Sequence, residues 1–399
     1  MKRGLRGVCV LTTFTGVLFL VGCSHPQTKV ANTWDQKAAA AYLDQREAWW
    51  MDWPPASRDH QTFCISCHTA VPYALSRPAL RKALGEGSPS VVERKLLDDV
   101  IKRVRLWKEV GPFYSSAGYD NKTDESRGTE AVLNALVLAS YDAQNGKLGD
   151  DARAAFKNMW ALQLTTADQK GAWSWLQFGL EPWEARGSQY YGAALAAVAV
   201  GTAPDNYRSD PTIQSNLKLL LEYLNREYAT QSTINRVVLL WASAKLPGLL
   251  EAGRQKEIIN EVLSRQKNDG GWALPPLCWN GRSWRPSSLF RAYLRPWIRR
   301  DWTRQALKSD GYATALITYL LEESGLPRDN IHVKRGLCWL VRNQDKTQGL
   351  WLSLSPNSRR SPSSNIGRFM SDAATAYAVL ALTESDRNAQ SNVAAAEVR

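Results

Sequence analysis

The stretch RGLCWLVRNQDKTQGLW, Arg335–Trp351, decides how this chain folds. It closes an amphipathic helix over 330–343, then sets Gln344, Gly349 and Trp351 in fixed order behind it. A glutamine in the last turn of a helix can donate to the unpaired terminal carbonyls. The glycine permits a chain reversal, and the tryptophan can then pack across the junction with the next unit. RQKNDGGW repeats the theme with Gln266, Gly270 and Trp272. LQLTTADQKGAW is a looser copy with Gln163, Gly171 and Trp173.

Outward from these junctions, two classes of helix alternate, and no convincing alternating strand pattern intervenes. One class is amphipathic with its charges on one face: residues 91–107, 150–162, 212–227, 252–265 and 330–343. The other is small and aliphatic nearly all round: TEAVLNALVLAS from Thr129, YYGAALAAVAVG from Tyr190, INRVVLLWASA from Ile234, YATALITYLL from Tyr312 and AATAYAVLAL from Ala373. A helix apolar around its whole circumference must be enclosed, whereas a one-sided helix belongs on a perimeter. A sixth pair is predicted near the N-terminus, with an amphipathic helix over 36–50 followed by a helix over 64–81. Six inner and six outer helices suffice to close a ring, which removes the apolar ends that an open solenoid must cap. The predicted fold is all-α, an α/α toroid of about six helix pairs over residues 36–384.

The three junctions resemble the QW repeats of squalene and oxidosqualene cyclases, whose relatives include the protein prenyltransferases. The Arg335 copy matches in every part: basic-Gly, an aromatic-Leu pair, Gln, then Gly-x-Trp. The resemblance spans most of residues 36–384 as a helix pattern and is motif-specific at the three junctions. It implies a toroid with its chemistry at the mouth where the inner helices begin, and an isoprenoid or other apolar small molecule as ligand. Cyclases of the squalene-hopene type protonate substrate with the middle aspartate of Asp-x-Asp-Asp-Thr-Ala. Here the inner-helix starts carry single acids, Asp310 in SDGYATAL and Asp372 in SDAATAYA. Both are candidate catalytic acids and both fit equally as helix caps. Neither has the paired partner that would hold one carboxyl protonated. Glu130, near Arg127, is the one inner-helix acid placed to face the cavity, as a catalyst or as half of an ion pair. LDDVIKRV lacks the third acid of a diphosphate-binding magnesium motif.

TFCISCHTAVPY, residues 62–73, carries Cys64, Cys67 and His68 in the spacing of a c-type haem attachment site. In that reading two thioether bonds hold the porphyrin and His68 ligates the iron. The predicted place of the motif is the first turn of the first inner helix, at the mouth. A Cys64–Cys67 disulfide, unmodified thiols, or zinc with two further Asp or His ligands are the alternatives. If the ring closes, the last inner helix lies beside the first, and Met370 just before it becomes the candidate sixth iron ligand. Met51 and His60 are rivals, Met370 could simply pack, and the iron could stay five-coordinate. His332 begins an outer helix and is expected to face solvent.

The N-terminus reads as an export signal over 1–22. Lys2, Arg3 and Arg6 precede a short apolar core from Val8 to Val21 that is too interrupted to span a bilayer. Leu20-Val21-Gly22-Cys23 resembles the lipobox of bacterial lipoproteins, which implies a lipidated Cys23 and a tether over 23–35; the alternative is an ordinary secretory signal with a stray cysteine. Ser24 points to the outer membrane where a cell has two, so the expected location is the cell envelope on its periplasmic side. Removal of the signal takes three cations from the 50 Lys and Arg residues against 38 Asp and Glu, so the chain stays basic. Outside the cytosol that favours a membrane surface over nucleic acid as partner. An insertion over 273–306 reinforces this, since Arg282 to Arg304 interleave with Trp279, Trp284, Trp297 and Trp302. Such a segment suits the headgroup zone or covers the toroid by cation–π stacking. Cys278 within it could reach Cys338. Residues 385–399 read as a polar tail. The combined expectation is a lipid-anchored toroid with covalent haem c in redox chemistry or electron transfer with a partner protein. Its rivals are a non-catalytic toroid that binds a hydrophobic ligand or a protein, and a terpenoid cyclase without the usual acid motif.

Overall fold

The computed structural model describes residues 33–115, 122–278 and 308–397, with side chains described to residue 383. The signal segment, Cys23, most of the tether and residues 279–306 of the Arg/Trp insertion lie outside the described residues. Six amphipathic helices are α1 (Gln36–Asp52), α3 (Val91–Arg105), α5 (Asp150–Ala161), α7 (Gln214–Glu227), α9 (Ala252–Ser264) and α12 (Ile331–Asn343). Six apolar ones are α2 (Ala70–Leu84), α4 (Lys122–Ala143), α6 (Ser188–Thr202), α8 (Thr233–Lys245), α11 (Gly311–Glu323) and α13 (Phe369–Glu397). The short α10 (Pro275–Cys278) completes the helices among the described residues. The fold is all-α, as the sequence pattern predicts, and a two-residue hairpin, Ser57–Arg58 against Thr62–Phe63, is its only sheet among those residues. Helix α13 continues through the residues read as a polar tail.

Burial separates the two classes from α3 onward, whereas α1 and α2 each bury about half of their residues. From Tyr190 to Val200 every residue of α6 is buried, whereas α9 buries only Ile258 and Val262. Each apolar helix packs on the next: α2 on α4, α4 on α6, α6 on α8, α8 on α11, α11 on α13, and α13 back on α2. The adjacencies therefore form a closed cycle. Helices α1, α3, α5, α7, α9 and α12 each pack on a helix of the cycle, and α1 touches both α2 and α13.

At the three junctions the tryptophan and the glutamine divide the labour differently from the sequence expectation. The indoles satisfy the helix ends. Trp173 Nε1 donates to Met159 O at 2.6 Å, Trp272 to Val262 O at 2.9 Å, and Trp351 to Leu340 O at 2.7 Å, each a carbonyl in the last turn of its own amphipathic helix. The glutamines instead reach the start of the next amphipathic helix. Gln163 Nε2 donates to Asn216 O at 3.0 Å on α7, and Gln266 Nε2 to His332 O at 2.8 Å on α12. Gln344 completes the series by donating to Asp35 O at 2.9 Å and accepting from Asp35 N at 2.6 Å. Asp35 caps α1, so the last repeat is stitched to the first. His332, expected in solvent, is part of this seam: its Nδ1 lies 2.7 Å from Gln266 Oε1.

Candidate functional site

The loops that lead into the apolar helices meet one another. Glu181, ahead of α6, exchanges two hydrogen bonds with Asn357, ahead of α13. Ser353 Oγ donates to Asp310 at the start of α11, and Arg58 lies over Tyr114, which meets Phe178 edge-on. The N-terminal ends of the apolar helices therefore share one face, the mouth. Behind it, Tyr312 on α11 accepts from Trp183 Nε1 at 3.1 Å and packs against Tyr377 on α13 at 5.9 Å between ring centroids.

Cys64, Cys67 and His68 lie at the mouth but not in the first turn of a helix, because α2 begins only at Ala70. Pro72 falls in the first turn of α2, where its missing N–H breaks no intrahelical bond, while Pro78 sits in the interior of the same helix. The motif instead forms a loop held at every side. Cys64 N donates to Ala56 O at 2.8 Å, Trp50 Nε1 donates to Cys64 O at 2.6 Å, and Ser66 Oγ accepts from Thr69 N and Ala70 N. Both cysteines are buried and free, and burial pushes the Cys64 thiol up to about 12 and the Cys67 thiol well above its ordinary value. As they stand they are neutral thiols, not a disulfide. Cys278 and Cys338 are not joined in a disulfide.

His68 sits in an aromatic enclosure. Phe369 stacks on its imidazole at 3.8 Å between centroids, Trp50 meets it edge-on at 4.9 Å, and Trp183 stands 6.1 Å away. The side chain lies deep within the protein and keeps only part of its surface accessible. Burial, with the Arg46 and Arg360 guanidiniums, pushes its pKa down to about 3, and the ring is neutral at physiological pH. Its Nδ1 lies 2.8 Å from Thr69 Oγ1, which donates to Asp372 Oδ2 at 2.9 Å. Asp372 also accepts from Tyr42 at 2.7 Å and from Arg46 Nε and Nη2 at 2.8 and 2.9 Å. Arg46 continues to Asn365.

The candidate acids are thus engaged. Asp372 lies inside α13 rather than at its cap, because the helix already starts at Phe369, and its carboxylate serves Arg46, Tyr42 and Thr69. Met370 is consequently the second residue of that helix, buried, and follows in sequence the Phe369 that stacks on His68. Asp310 caps α11, accepting from Ala313 N at 3.0 Å, Leu274 N at 2.6 Å and Ser353 Oγ at 3.0 Å; burial raises its pKa to about 6. It borders a cavity of 190 Å³ lined also by Leu274, Pro275, Leu352 and Ser353. Glu130 is fully buried against Arg103, Oε1 to Nε at 2.6 Å. Of the rival ligands, His60 is exposed beside Asp59, and Met51 is buried at the end of α1. Among the described residues no group of three or more His, Cys, Asp or Glu side chains is gathered for a metal ion.

Sequence reasoning misses Arg46, Tyr42, Thr69 and Phe369, although Thr69 directly follows the motif. It also misses Glu47, which is fully buried, has both carboxyl oxygens without a hydrogen-bond partner, and has its pKa pushed well above the ordinary value by burial and by Asp372 and Asp99. A buried unsatisfied polar group costs about 1–3 kcal/mol. Glu47→Met, which keeps the length and removes the polar atoms, is expected to raise the unfolding free energy by about that amount. The sign with pH follows from the raised pKa: Glu47 is best tolerated at low pH and becomes a burden as pH rises through its ordinary range. The gain in chemical unfolding midpoint should therefore widen from acid to neutral pH; a gain that is flat or shrinks over that span would contradict the assignment.

No protein-family model matches this chain, and no curated protein matches it.

Proposed function

We propose that this chain is an exported, lipid-anchored α/α toroid that carries a covalent c-type haem and works in electron transfer. The observation that carries the reading is the gathering of two free buried thiols and a neutral imidazole, in Cys-x-x-Cys-His order, on one tightly held loop at the mouth. These donors fit the group: Cys64 and Cys67 would form the thioether links and His68 would ligate the iron, while Met370, one residue from the ring on His68, is the sixth-ligand candidate. The haem, when bound, supplies reversible one-electron chemistry. The chain's own residues fix the attachment loop, keep the imidazole neutral, and wall it with Trp50, Trp183 and Phe369. Zinc is the poorer fit, because two more ligands of suitable type are not gathered among the described residues. A terpenoid cyclase is also the poorer fit, since Asp310, Asp372 and Glu130 are committed to capping and ion pairing.

Electron transfer is favoured over turnover of a large apolar substrate because the rings of Trp183, Tyr312 and Tyr377 pack together among the apolar helices. The cavity beside Asp310 supports a second reading, a small apolar or isoprenoid ligand at the mouth. Exposed Tyr114, Phe178, Leu180, Leu352 and Ile366 surround that mouth and suit a membrane or a redox partner held close by the lipid on Cys23. No helix among the described residues is long and apolar enough to cross a membrane.

Full-length protein purified from a host with c-type haem maturation machinery should keep a haem absorption band on the polypeptide after denaturation. Cys64→Ser with Cys67→Ser should lose it. Wild-type protein without a covalent band sinks the haem reading. A strong-field spectrum lost in Met370→Ala would support the axial pair.

A further inference from the structure

The hydrogen bonds around Thr69 dictate which nitrogen of His68 carries the proton. Thr69 Oγ1 has one hydrogen to give and two neighbours, Asp372 Oδ2 at 2.9 Å and His68 Nδ1 at 2.8 Å. Both oxygens of Asp372 are taken up as acceptors, Oδ1 by Tyr42 and Arg46 Nε and Oδ2 by Arg46 Nη2 alongside Thr69. Asp372 can only accept, so the threonine hydrogen goes to it. The hydroxyl oxygen is then left to accept from the ring, which requires a hydrogen on Nδ1 and leaves the lone pair on Nε2. Phe369 fixes the ring plane by stacking.

We propose that Thr69 and Asp372 are positioning residues that lock His68 as the Nδ1–H tautomer, so that Nε2 is the metal-binding nitrogen and is made a stronger donor by the carboxylate behind it. The inference rests on the haem reading for the metal, and on hydrogen-bond geometry alone for the tautomer. A ligating histidine whose other nitrogen donates toward a carboxylate gains both orientation and basicity. Here the carboxylate acts through a hydroxyl, and Arg46 ties it to α1 and to Asn365.

Two measurements on the full chain test this. The chain has four histidines, so ¹⁵N-histidine spectra of haem-free protein are tractable. They should show His68 with a protonated Nδ1 and an unprotonated Nε2. Thr69→Val, which keeps the shape and removes the acceptor, should lose that pattern, and Thr69→Ser should retain it. In haem-loaded protein, Thr69→Val should shift the midpoint potential upward, because a weaker imidazole donor stabilises the oxidised iron less; Thr69→Ser should return it toward wild type. A protonated Nε2 in wild type, or a tautomer unmoved by Thr69→Val, overturns the proposal. So does a potential unmoved by Thr69→Val in protein that carries covalent haem. If wild type takes up no haem, the haem reading fails while the nitrogen spectra still decide the tautomer. Equal cooperative unfolding of the three proteins excludes misfolding as the cause.

Discussion

Arg103→Ala should lower the unfolding free energy by about 3–5 kcal/mol, the usual cost of removing one partner of a buried ion pair. Arg103 and Glu130 are both fully buried, and the guanidinium holds the carboxylate through Nε at 2.6 Å and Nη2 at 3.1 Å. The same guanidinium donates to Thr62 Oγ1 at 2.7 Å and Gly111 O at 2.8 Å, and lies over the Phe113 ring. It thereby ties α3 to α4, to the strand that leads into the cysteine loop, and to the loop ahead of α4. Alanine leaves Glu130 as a buried charge with only Arg127, 3.8 Å away, to offset it. Glu130 would respond by binding a proton, so its pKa would rise further. The loss should then be smallest in acid, where the carboxyl is neutral in both states, and grow as pH rises through the carboxylate range. Arg103→Met with Glu130→Leu should recover most of the loss, because an apolar pair of similar size avoids the desolvation cost. Denaturant midpoints of the three proteins at acid and neutral pH would show it. A single substitution costing under about 1 kcal/mol would mean that the pair is solvated.

This pair marks the boundary of what sequence alone makes legible. The two helix classes were readable because burial on all sides or on one side leaves a local periodic trace, and it survives in α6 and α9 almost residue by residue. The order of Gln, Gly and Trp was readable for the same reason. What each residue holds was not, because its partner comes from another repeat. Nothing local to Gln344 says that it bonds Asp35 across 309 positions. Arg46 and Asp372, separated by 326 positions, carry no mutual signal either. Asp372 looked like a cap because a Ser-Asp pair before an alanine run usually is one; the helix starts earlier and the carboxylate turns toward α1 instead. Pro72 is compatible with a helix start just before it, but α2 also holds Pro78 in its interior, so proline positions alone do not fix where the helix begins. Glu47 leaves no sequence trace, since a buried acid without a partner looks like any surface glutamate of an amphipathic helix.

Trp351→Ala should cost about 3–5 kcal/mol, as large-to-small substitutions of buried aromatic residues do, and its structural consequence tests whether the ring is closed. Trp351 is fully buried, its indole donates to Leu340 O, and its ring meets Trp34 at 5.9 Å. Gly349, with φ of +78°, brings the turn so close to the Ala38 carbonyl that a side chain there would collide with it. With Gln344 on Asp35, this seam joins the last amphipathic helix to the first. Its counterparts Trp173 and Trp272 occupy the same position in interior seams and are equally buried. An open stack of repeats would treat the sites differently: its ends fray, so terminal helices open at lower free energy than central ones. A closed cycle has no end. Amide exchange in wild type should therefore protect the described core of α1, α2 and α12 about as well as that of α6 and α8, and Trp351→Ala should lower the protection of α1 and α12 first. Trp173→Ala should act the same way on α5 and α7, with a similar total loss. Early exchange of α1 and α12 in the wild-type protein, ahead of the central helices, would instead mean that the Gln344–Asp35 seam adds little and the repeats behave as an open array.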